Sequence, residues 1–75
     1  MSLNPASIHD LHDKLATAQA RELQAMLRVA EYCALPESDP MRARRIRLAY
    51  VVLDHHRSVR NRLILQIEEA EEGRA

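Results

Sequence analysis

The chain has no phenylalanine and no tryptophan, and only one glycine, one cysteine and three prolines among 75 residues. With Tyr32 and Tyr50 as the only aromatic side chains, any core is built of Leu, Ile, Val, Ala and Met, a palette that favours helices over strands. The lone Cys33 excludes an intrachain disulfide. The longest unbroken apolar run, LAYVVL at 48–53, is far too short to span a bilayer. The opening MSLNPASIHD lacks the basic region and apolar stretch of a signal peptide, so a cytoplasmic protein without membrane association is expected. Acidic and basic residues balance at 11 each, which argues against a chain held mainly by the field of a polyanion. There is no glycine-rich phosphate loop and no carboxylate pair facing a pocket, and a helical hairpin has nowhere to enclose a substrate. A non-enzymatic protein with no cofactor and no small-molecule substrate is therefore expected.

Sparse punctuation divides the chain. Proline stands only at 5, 36 and 40 and glycine only at 73, which leaves two long uninterrupted stretches. The first helix is expected at about 7–34, after a lead-in over 1–6, opened by Asn4-Pro5 or by Ser7 with Asp10 in the first turn. The second is expected at about 40–72, with Asp39 as N-cap and Pro40 at the first helical position; a tail covers 73–75. LPESDP between them is short, with the connection at 35–39. The fold class expected is all-α: one domain, an antiparallel two-helix hairpin, dimerising into a four-helix bundle.

Placing residues at 100° intervals collects Ile8, Leu11, Leu15, Leu23, Met26, Val29, Ala30 and Cys33 on one side of helix 1. Helix 2 collects Met41, Ile46, Leu48, Ala49, Val52, Leu53, Val59, Leu63, Ile64, Ile67 and Ala70 over about 160°, wider than one facing helix covers. Tyr50, Val51 and Leu65 fall outside even that arc. A chain this small buries only about 60 to 65% of its unfolded surface, so a surplus apolar face calls for a cover. A second copy or a helical protein partner is expected there, with Leu48, Val52, Val59, Leu63 and Ile67 as interface residues.

Charge is segregated along helix 2, with Arg42, Arg44, Arg45 and Arg47 at its start and Glu68, Glu69, Glu71 and Glu72 at its end. Both groups oppose the helix dipole, and two copies crossing antiparallel near Arg57 would ease both conflicts. The four arginines also raise nucleic acid as the alternative partner. They point in four directions rather than forming a stripe, and there is no aromatic platform for bases, so this is the second choice.

His9 and His12, three apart on one face, and the adjacent His55 and His56 invite a metal reading. If residues whose numbers sum to about 74 lie opposite, the two pairs are roughly 9 Å apart along the axis, too far for one tetrahedral site. No metal is assigned; only a dimer would bring symmetry-related histidines together. His56 falls near the middle of the apolar arc and His55 at its rim. Glu22 lies within the arc of helix 1, where His56 or an arginine of helix 2 would partner it, and Gln19, Glu22 and His56 are expected to form a polar layer that fixes register.

Overall fold

The computed structural model of the chain describes residues 5–73, with side chains from residue 7 onward. The described residues form two helices, α1 (Pro5–Cys33) and α2 (Arg42–Glu72), packed against each other. Pro5 opens α1, where its missing N–H costs nothing, and the amide of Gly73 closes α2 on the Glu69 carbonyl. Residues 1–4 and 74–75, with the expected N-cap at Asn4 and the end of the tail, lie outside the described residues.

The packing seam follows a strict alternation of three and four residues. On α1 it comprises Ile8, Leu11, Leu15, Ala18, Glu22, Ala25, Val29 and Tyr32; on α2, Ile46, Ala49, Leu53, His56, Arg60, Leu63, Ile67 and Ala70. All sixteen are buried or half-buried. A 3.5-residue repeat sustained over four heptads is the pattern of a two-stranded coiled coil, in which each side chain enters a hole on the facing helix. The innermost cluster is Ala25, Val29, Ala49 and Leu53, with Tyr32 packed against it.

This seam corrects the helix 1 stripe read at 100° per residue. Leu23 and Met26 are exposed, as are Ala30 and Cys33, while Ala18, Ala25 and Tyr32 occupy the seam instead. Tyr50, Val51 and Leu65 lie outside the contact, as their angles on the wheel require.

The register differs from a tight-turn estimate. Glu22 pairs with Arg60, and His12 lies 3.8 Å from Glu71, so partner numbers sum to 82 and 83 rather than to about 74. The difference is about one heptad, which leaves every side chain on the same face. Its cause is the connection, which runs over 34–41 and is longer than 35–39. Asp39 does not cap the helix at Pro40; its Oδ1 accepts the Met41 amide at 2.8 Å in a local turn, and α2 begins at Arg42. Arg42 folds back, its Nε donating to the Leu35 carbonyl and its Nη2 to the Cys33 carbonyl, both at 3.0 Å. A cation thereby satisfies carbonyls left over at the C-terminus of α1.

The result is a rod, 57 × 14 × 12 Å, with a radius of gyration of 17.0 Å where a compact chain of this length would have about 11 Å. Its accessible surface is 5813 Å², against roughly 4,700 Å² for a compact monomer of 8.6 kDa. The surplus of roughly 1,100 Å² is at least one partner's share of an ordinary protein interface, about 800 Å². Of the large apolar side chains exposed among the described residues, all but Leu65 lie at 23–27 or 41–52, in the half of the rod nearer the turn.

Candidate functional site: an apolar groove with a basic rim

One flank of the hairpin carries a groove. Its turn-side half is lined by Arg21, Gln24, Ala25, Arg28 and Tyr32 from α1 with Leu48, Ala49, Val52 and His56 from α2. Its far half continues with Lys14, Thr17, Ala18 and Arg21 facing His55, His56, Val59, Arg62 and Leu63, beside Asp13. Arg21 and His56 line both halves, so the two depressions adjoin. It exists because the seam residues beneath it, Ala18, Ala25 and Ala49, stop at Cβ and leave the space between the helices unfilled.

The two rims differ in chemistry. On α2 the wall is apolar, with Leu48 and Val52 at least half exposed and Val59 half-buried. On α1 the wall is cationic: Lys14, Arg21 and Arg28 recur at seven-residue spacing, so they stand in line along the groove. Lys14 is also paired with Asp10 at 3.1 Å, an exposed contact that leaves it free to exchange partners. Arg62 adds a further cation from α2. Sequence inspection for clustered arginines finds 42–47 and passes over this row, whose signal is its period.

The residues expected at an interface are divided by the structure. Leu48, Val52 and Val59 lie along the groove; Leu63 is half-buried at its floor, and Ile67 is buried within the hairpin itself. Of the expected polar layer, Glu22 is buried at 8% exposure, but its partners are arginines. Arg60 Nη1 donates to Oε1 at 2.6 Å and to Oε2 at 2.7 Å, and Arg57 Nε donates to Oε2 at 3.3 Å. Asn61 Oδ1 holds the other side of the Arg60 guanidinium. Gln19 is exposed, and His56 is half-buried in the groove beside Arg21. His55 is exposed, its ring centroid 5.6 Å from that of His56.

Of the arginine cluster, Arg44, Arg45 and Arg47 are exposed, whereas Arg42 is engaged with the turn carbonyls. Among the described residues no group of three or more His, Cys, Asp or Glu side chains is placed to hold a metal ion, and no helix is long and apolar enough to cross a membrane. Compared with known proteins, the chain matches no family model, no curated protein and no solved structure.

Proposed function

We propose that the chain is a non-enzymatic protein interaction module that receives a helix along this groove. The observation that carries the reading is the pairing of an apolar wall, with Leu48 and Val52 exposed and Val59 half-buried, with a floor of small side chains that leaves room for inserted ones. Helix-in-groove recognition needs this combination, with anchors spaced i, i+3 or i+4, and i+7. From Lys14 to Arg28 the groove runs about 21 Å, room for roughly four turns of a partner. The cationic α1 wall selects a helix whose apolar stripe is bordered by Asp or Glu, since charge complementarity sets orientation and excludes basic competitors.

Display selection of helical peptides against the purified chain tests this. Enriched peptides are expected to carry an apolar stripe with an acidic border, to lose binding to Val52→Asp, and to bind at least about tenfold more weakly to Arg21→Glu with Arg28→Glu. Enrichment of peptides indifferent to Val52→Asp would remove the groove from consideration.

Within the cluster at 42–47, the alternative partner, nucleic acid, is left with Arg44, Arg45 and Arg47, because Arg42 is engaged with the turn carbonyls. Fluorescence anisotropy with duplex and single-stranded probes is expected to show weak binding that is indifferent to sequence and falls steeply with salt. Tight, sequence-selective binding at physiological salt, lost in Arg44→Ala with Arg47→Ala, would put the alternative first.

A further inference from the structure

A second apolar face runs along α1, about 140° round the helix from the seam and separate from the groove. Ala16, Ala20, Leu23, Leu27 and Ala30 recur at intervals of four and three, Ala34 continues the spacing one residue past the end of α1, where its amide donates to the Ala30 carbonyl, and all six are exposed. Leu23 and Leu27 are each 57% exposed, with Met26 beside them at 44%. No ionisable side chain interrupts the stripe.

We propose that this face binds a second copy of the chain, with the two α1 helices antiparallel about a twofold axis level with Ala25. Four observations select that occupant. A twofold interface must be self-complementary, residue i meeting j while j meets i. The stripe has that symmetry in residue type as well as spacing: about Ala25, Ala16 corresponds to Ala34, Ala20 to Ala30 and Leu23 to Leu27. The flanking positions nearest the axis, Gln24 and Met26, are uncharged, so no like charges meet there. Alanines on both sides of the leucines permit close approach of the backbones, and the rod as a whole, groove included, exposes more surface than a compact chain of its mass. Gln24, beside the axis, is shared with the groove rim, while Leu48, Val52 and Val59 of the apolar wall lie on the other helix, giving an assembly with two helix-binding sites.

The test uses the full chain and its single native cysteine. Light scattering after size exclusion is expected to give twice the chain mass of 8.6 kDa. Leu23→Asp with Leu27→Asp is expected to give the chain mass at unchanged helicity, because neither side chain supports the hairpin, and to raise the dissociation constant at least about a hundredfold. A nitroxide on the exposed Cys33 reports orientation. Antiparallel pairing about Ala25 sets the two labels about 24 Å apart along the axis, sixteen residues at 1.5 Å each, before the reach of the labels themselves. A monomer at about 100 μM would overturn the proposal while leaving the groove reading standing, because the peptide selection needs only one chain. A dimer that survives the double substitution and dissociates in Val52→Asp would move the interface to α2. Pulsed-resonance distances below about 15 Å would show parallel pairing and overturn the proposed axis.

Discussion

Glu22 shows how one residue decides between registers that the rest of the seam treats as equal. A heptad seam maps onto itself when one helix slides by seven residues, so apolar contacts alone leave the hairpin degenerate. Sliding α2 by one heptad would bring Leu53 or Ile67 opposite Glu22 in place of Arg60, burying a carboxylate without a counter-charge. A tight-turn estimate places Glu22 against that apolar neighbourhood. The ion pair instead favours the longer connection, and the numbers that meet shift from about 74 to 82. The sequence places Glu22 within the apolar arc but does not select its partner, because choosing between His56 and an arginine requires the register. Glu22→Ala is expected to destabilise the hairpin by roughly 1 to 3 kcal/mol in urea titration, limited because Arg57 and Arg60 are partly exposed and can turn to water. Glu22→Leu with Arg60→Leu is expected to be neutral or stabilising while admitting the slipped register, visible as doubled amide resonances. Should the double variant keep one set of resonances, the connection and not the ion pair fixes the register.

At the scale of the elements, both helices were legible because proline and glycine mark their ends, whereas the contact between them was not. Bulky residues dominate a helical wheel, so Leu23 and Met26 draw the eye to a face that stays exposed. The decisive seam positions, Ala18, Ala25 and Ala49, register weakly on any hydrophobicity scale, yet their small size opens the groove. The turn departs from the sequence expectation for a related reason: Asp39-Pro40 has the composition of a helix start, but the Asp39 carboxylate accepts the Met41 amide inside the connection. Arg42 then joins the elements by bonding across to Cys33 and Leu35. Arg42→Ala is expected to cost about 1 to 2 kcal/mol, two charge-assisted bonds at a partly exposed site, whereas Arg44→Ala should stay within about 0.5 kcal/mol of the parent. Thermal melts of the two variants side by side check this. Equal effects would mean that the cluster acts only as a basic helix start.

For the whole molecule, shape rather than composition argues for assembly. A rod of two helices gives each helix one covered face, and here each has apolar residues to spare on another: Leu48, Val51 and Val52 on α2, Leu23, Met26 and Leu27 on α1. A helical wheel places the surplus on helix 2 alone, because it merges the exposed stripe of α1 with its seam. Covering the α1 face with a second copy ties folding to concentration, since mass action stabilises a dimer relative to its unfolded chains. For 150 residues unfolding together at about 2.1 cal/mol/K each, a tenfold rise in concentration, about 1.4 kcal/mol per dimer, raises the melting temperature by roughly 4 °C. The wild-type chain is expected to show that slope in calorimetry between about 10 and 100 μM, and Leu23→Asp with Leu27→Asp to show none. Val52→Asp discriminates between the two surplus faces in the same measurement. It should keep the full slope if α1 holds the copies together through Leu23 and Leu27, and lose it if the groove wall of α2 does.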